Sequence, residues 1–191
     1  KRDRAFPLEL GRGYALMSSG WLSSTHPDWD LTIWNRGISG NRTKDLLARW
    51  QEDCLDLKPD VLSILIGVNN TWRRYDNQDP TSVEVFESEY RQLLDQAKEK
   101  LQCSLILCEP FLLHINSKIA SWREDLDPKI EVVHRLAKEY DATLVLFDKM
   151  FQEASNKVAP EKWAPDGVHP SFMGHGLMAK EWLKVATGET F

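Results

Sequence analysis

Cysteine is scarce in this sequence: Cys54, Cys103 and Cys108 are the only three, and no two form a C-x-x-C pair. An odd, scattered set excludes a disulfide framework or zinc ribbon as the organising device. Two of the three sit in apolar, strand-like surroundings, so they read as reduced core residues, which favours a reducing, cytoplasmic compartment. Long apolar runs are also missing. The longest, Val61 to Ile66, has the length of a strand and falls far short of the roughly 18–20 residues of a membrane-spanning helix. Basic charge is not in excess, with 24 Lys+Arg against 29 Asp+Glu and a net charge of −5. No Lys/Arg stripe is interleaved with aromatics, so neither nucleic acid nor an anionic membrane is an expected partner. No glycine-rich phosphate loop follows any candidate strand, which sets aside a dinucleotide or flavin binder. There is no signal-peptide stretch and no initiator Met before Lys1-Arg2-Asp3-Arg4. Lys1 is therefore not expected to be the first residue of the gene product.

What remains is a 191-residue chain with 42% hydrophobic and 28% charged residues, suited to one globular domain over residues 1–191. Apolar residues at helical spacing predict a helix from Gly13 to about His26, stopped by Pro27. Leu31-Thr32-Ile33-Trp34 predicts a short strand, and Thr43 is expected to cap a helix carrying Leu46, Leu47, Trp50, Cys54 and Leu55. Val61 to Ile66 predicts a strand covered on both faces, followed by a long polar loop from Gly67 to Pro80. Thr81 to about Leu101 predicts a helix, Ser104 to Cys108 a buried strand, and Pro128 the opening of a further helix. A fourth strand is expected at Thr143 to Phe147, a short helix around Asp148 to Ser155, and a last helix from about Ser171 to Ala186. Strand and helix alternate, which implies an α/β sandwich on a mostly parallel sheet, with ligands bound beyond the carboxyl ends of the strands. The informative loops are then Asn35 to Thr43, Gly67 to Asp76, and Pro165 to Pro170.

Each of these loops carries residues fit for chemistry. In Asp166-Gly167-Val168-His169-Pro170, a turn at Gly167 would fold the carboxylate onto His169 Nδ1 and leave Nε2 as a general base; a surface aspartate beside a helix cap would have the same spacing. Asn69 is either an Asx-turn residue or an amide donor at the top of the sheet. Gly40, in Asn35 to Thr43, either makes a plain turn or offers a backbone N–H as a second donor. Ser39, Asn70, Trp72, Arg73 and, in the loop after the second buried strand, His114 are candidates to line a substrate pocket. Trp72, Arg73, Arg74 and Tyr75 read equally as a solvated loop with one packed aromatic, and His114 as a surface residue. His169 and His175 are six apart and do not form a facing helical pair, so no metal site is expected.

Taken together, the blocks R-G-I-S-G-N-R-T, I-G-V-N-N-T-W-R-R-Y-D and D-G-V-H-P, in this order, resemble the SGNH (GDSL-type) esterase and lipase family, in particular its small bacterial acylhydrolases. The resemblance runs over essentially the whole chain. It implies a three-layer α/β/α sandwich with a flavodoxin-like strand order 2-1-3-4-5. It also implies Gly40 and Asn69 as oxyanion donors, Asp166 as the acid and His169 as the base, with no metal or organic cofactor. The implied activity is serine ester hydrolysis on small acyl or acetyl esters, with carbohydrate as one class of alcohol and homo-oligomerisation left open.

Two departures accompany the resemblance. The family's nucleophilic Gly-Asp-Ser block is not present, and Asn70 stands where the family usually has aspartate. The strand that would carry the serine lies between those at Leu31 and Val61 in the implied order. Its loss would leave buried edges unpaired at roughly 1–3 kcal/mol per group, so the chain is expected to be part of a longer polypeptide. Ser39 in Gly37-Ile38-Ser39-Gly40 lacks the final glycine of a Gly-x-Ser-x-Gly elbow and reads as a hydrogen-bonding turn residue beside Gly40. Against the hydrolase stands a non-catalytic carbohydrate- or acyl-binding domain on the same scaffold.

Overall fold

The computed structural model describes residue 7 and residues 9–189. The opening residues, Lys1 included, lie outside them. Three strands form one parallel sheet in the order β1 (Val61–Leu65), β2 (Ser104–Cys108), β3 (Thr143–Val145). Val61 pairs with Ser104 and Leu65 with Cys108 on one side of β2, and Ile106 to Cys108 pair with Thr143 to Val145 on the other.

Alternation along β2 builds two cores. Leu105 and Leu107 face one side with Ile64 and Ile66, beneath α3 (Trp50–Asp53), α5 (Val83–Lys100) and α7 (Arg123–Glu139). Helix α5 is held there by Phe86, Tyr90, Leu93, Leu94 and Ala97, a stripe at helical spacing that is wholly buried. Ile106 and Cys108 face the other side with Val145, beneath α1 (Tyr14–Thr25), α8 (Phe147–Ser155) and α10 (Phe172–Thr187). Helices on both faces of a parallel sheet make the expected three-layer α/β fold. All three cysteines are free thiols. Burial pushes the Cys54 and Cys108 thiols up to about 12, so they act as apolar filling.

Several expectations are corrected. Residues 31–34 form no strand, because strand propensity becomes a strand only where a ladder partner lies alongside, and among the described residues none does. For the same reason β1 bonds only β2 among the described residues. Val61 is 53% exposed and Ser63 is open as well, so β1 is not covered on both faces. The polar stretch after Gly67 is largely helix α4 (Val68–Asp76). Val68, Trp72 and Tyr75 form an i, i+4, i+7 stripe against Leu112, Trp122, Leu126 and Val168, a pattern that polar neighbours hide in a reading by average polarity.

Thr43 is the first residue of α2 (Thr43–Leu47) and not its cap, and the helix expected beyond it breaks before α3. Helix α5 starts later than expected, with Ser82 as its N-cap. Helix α7 begins upstream of Pro128, where Trp122 stacks on Tyr75 at 5.0 Å between ring centres. The third strand ends at Val145, and Phe147 already belongs to α8. Two four-residue helices, α6 (Ser117–Ala120) and α9 (Pro160–Trp163), lie in stretches expected to be loop.

Candidate active site

The turn before α10 joins the carboxylate to the imidazole. Gly167 adopts φ +83°, and a Cβ there would lie 2.8 Å from the Leu113 carbonyl oxygen, so only glycine closes this turn without strain. Asp166 then folds back on its own chain. Its Oδ1 accepts the backbone N–H groups of Val168 (3.0 Å) and His169 (2.7 Å), and its Oδ2 lies 2.6 Å from His169 Nδ1. Partial burial alone would push this carboxyl up. The His169 ring and the two backbone N–H groups outweigh that and hold it below its ordinary value, so it is the anion at neutral pH. With Nδ1 donating to the carboxylate, Nε2 carries the free lone pair. Among the described residues Nε2 has no hydrogen-bond partner.

His169 lies at the edge of a cleft of about 680 Å³, whose walls include Ser39, Asn35, Arg12, Phe172 and His175. Burial keeps His175 below the ordinary histidine value, and its Nδ1 accepts the Tyr14 N–H at 3.3 Å, tying α1 to α10. Trp72 packs on the His169 ring at 5.4 Å between centres. Asn69 lies three residues before Trp72 on α4, hence on the same helical face.

Asn69 Nδ2 donates to the Asn41 carbonyl at 3.1 Å, which brings α4 against the glycine turn. Gly40 sits at φ +83° on that turn, and among the described residues its N–H has no hydrogen-bond partner. His169, Trp72, Asn69, Asn41, Gly40 and Ser39 thus form one continuous arc. It includes an imidazole bonded to a carboxylate, a backbone N–H on the Gly40 turn and a carboxamide on α4, groups of the kind that can act as a general base and as oxyanion donors.

The other candidates read from the sequence fall elsewhere once the chain is folded. Asn70 is completely buried and does not line the cleft. Its Nδ2 donates to Thr43 Oγ1 at 2.9 Å, its Oδ1 receives the Thr43 N–H, and the Thr43 hydroxyl in turn donates to Glu89. Asn70 is thereby linked to the Glu89 carboxylate through the Thr43 hydroxyl. Arg73 pairs with Asp76 and lies 5.8 Å from the centre of the Trp72 ring. His114 is exposed and is not among the cleft-lining residues. Arg12, Asn35, Phe172 and His175 carry no local signal that marks them as cleft residues. The fold alone brings their segments together, although Asn35 opens one of the loops singled out in the sequence. Among the described residues no cluster of His, Cys, Asp and Glu could hold a metal ion.

Comparison with known proteins gives a consistent set of relatives. The model of the GDSL-like lipase/acylhydrolase family matches residues 12–177. An acetylxylan esterase of Geobacillus stearothermophilus is 34% identical over 179 residues, which covers 92% of this chain and 81% of that protein. Its crystal structure superposes with a TM-score of 0.85. A structure from Parabacteroides merdae, described as that of a GDSL-like lipase, is 37% identical and covers 94% of this chain and 84% of its own, with a TM-score of 0.90. Three variants of the Geobacillus esterase described as catalytic mutants replace a serine, an aspartate and a histidine, the aspartate three positions before the histidine.

Proposed function

We propose, for a chain that belongs to the GDSL-like lipase/acylhydrolase family, that it removes acetyl or similarly short acyl groups from carbohydrate esters. That the chain is a carboxylic ester hydrolase follows from the family and from its relatives; the acyl group, the alcohol and the residue roles are the proposal. The observation that carries it is the 2.6 Å contact between Asp166 and His169 at the edge of an open cleft. The two residues have the same three-residue offset as the aspartate and histidine of the catalytic mutants in the Geobacillus esterase.

In this reading Asp166 fixes the His169 tautomer. Nε2 takes the proton of an attacking serine hydroxyl as its oxygen bonds to the acyl carbon and returns the proton to the leaving alcohol. Nε2 then takes a proton from water, whose oxygen bonds to the acyl carbon as the serine C–O bond breaks, and returns it to the serine oxygen, freeing the carboxylic acid. The Gly40 N–H and the Asn69 carboxamide hold the oxygen of the tetrahedral intermediate. The family's nucleophile is the serine of a Gly-Asp-Ser block, which does not occur in these 191 residues. Ser39 keeps the part of a polar residue in the cleft wall. Trp72, which is not among the cleft-lining residues, packs against the His169 ring beside the cleft.

Two measurements test the proposal. Acetate release from acetylated xylo-oligosaccharides, followed by proton NMR, should exceed release from long-chain acyl esters by at least about tenfold in kcat/KM. Labelling with a fluorophosphonate and mapping the adduct should find one modified serine other than Ser39. Binding of acetylated oligosaccharide without acetate release and without an adduct would instead establish the non-catalytic binding domain.

A further inference from the structure

We propose that Arg49, held by Asp53 and gripping Asn41, is a positioning residue that sets the orientation of the Asn69 carboxamide. The inference rests on the reading of Asn69 as an oxyanion donor. Of the two N–H groups on Asn69 Nδ2, one donates to the Asn41 carbonyl, and the direction of the other is fixed only as firmly as that carbonyl is. Asn41 lies at the end of an exposed glycine turn, where its own N–H makes a long 3.3 Å bond to the Ile38 carbonyl. The backbone alone does not hold it.

The Arg49 guanidinium supplies the missing constraint. Nε (3.1 Å) and Nη2 (2.9 Å) both donate to Asn41 Oδ1, while Nη1 donates to the Arg36 carbonyl at 3.0 Å. One side chain therefore grips the loop at residues 36 and 41, on either side of Ser39 and Gly40. Asp53 locks the guanidinium in turn. Its side chain is 5% exposed between two arginines, with Oδ2 bonded to Arg49 and Oδ1 receiving Arg36 Nε at 2.9 Å. Two guanidinium groups on a nearly buried carboxylate leave it fully compensated. Only a planar fork with three donor directions can make this set of bonds, so lysine is no substitute for Arg49.

The test is a double-mutant cycle in the full-length protein, with p-nitrophenyl acetate as the probe. Arg49 and Asp53 are sufficiently buried that their variants could fail to fold. The cycle therefore uses Asn41→Ala, which keeps the carbonyl that Asn69 needs and removes only the atom that Arg49 grips. A donor that acts in the transition state moves kcat, leaving KM within about twofold. Asn69→Ala should lower kcat by roughly 10²–10³-fold, and Asn41→Ala by about a tenth to a half of that on a logarithmic scale. Combined with Asn69→Ala, Asn41→Ala should change kcat less than about twofold, because the group it positions is gone. Equal cost of Asn41→Ala in both backgrounds, or no cost in either, would overturn the positioning role while leaving the oxyanion reading intact. Parent-like activity of Asn69→Ala would overturn the oxyanion reading and the inference with it.

Discussion

Replacing Asp166 with asparagine separates its charge from its shape. A carboxamide keeps the outline of the side chain and one acceptor oxygen, and the local hydrogen bonds decide where that oxygen goes. Two backbone N–H groups, from Val168 and His169, need an acceptor, against one from the imidazole. The oxygen therefore stays with the backbone and the amide N–H faces His169 Nδ1. Nδ1 must then accept, which moves the ring proton to Nε2 and removes the base. In a Ser-His-Asp triad with a buried aspartate, that swap costs on the order of 10⁴ in kcat. Here the Asp166 side chain is 49% exposed, and water partly replaces its field, so a loss of about 10²–10³-fold is expected, or roughly 3–4 kcal/mol of barrier. The assay is kcat and KM for acetyl ester cleavage at neutral pH. The folded-state pKa of Asp166 is lowered, so its stabilising contribution is present above roughly pH 4 and is lost as pH falls through the folded value. Urea midpoints of parent and variant should therefore converge in acid. A kcat within about threefold of the parent would refute the assignment of the pair as the tautomer-setting unit.

Gly167→Ala must accommodate a Cβ at positive φ beside the Leu113 carbonyl; a loss of roughly 1–3 kcal/mol is expected by urea denaturation, together with reduced kcat as the turn opens. Thr43→Val removes the hydroxyl that links Asn70 to Glu89, leaving a buried amide N–H unpaired at about 1–3 kcal/mol, which the same denaturation series reads. Burial lowers the His175 pKa in the folded state, so the unfolded chain binds the proton more readily and stability should fall as pH drops below roughly 6.5. His175→Gln should flatten that part of the midpoint-against-pH curve.

Features that depend on near neighbours are legible in the sequence. The buried strand at Ser104 to Cys108 and the helix behind Phe86, Tyr90 and Leu94 are set by apolar runs and periods within a few residues, and both form as expected. Asp166 and His169 are visible for the same reason, since one glycine turn joins them. Residues 31–34 fail as a strand because a strand is made by its partner and not by its own composition. Helix α4 is hidden because its three anchoring side chains are embedded among polar ones. Arg49 gives no local sign of its role because its reach to Asn41 depends on where α2 breaks from α3. His114 follows the path of its loop, which leaves it exposed and outside the cleft lining.

The most direct test of the account is acetyl ester cleavage by His169→Ala, measured as kcat beside a thermal melt. His169 is exposed, with 66% of its side chain open to solvent, so folding should be little disturbed. The account predicts an unchanged melting temperature and a loss of at least about 10³-fold in kcat. A folded variant that retains more than about a tenth of the parent rate would contradict it.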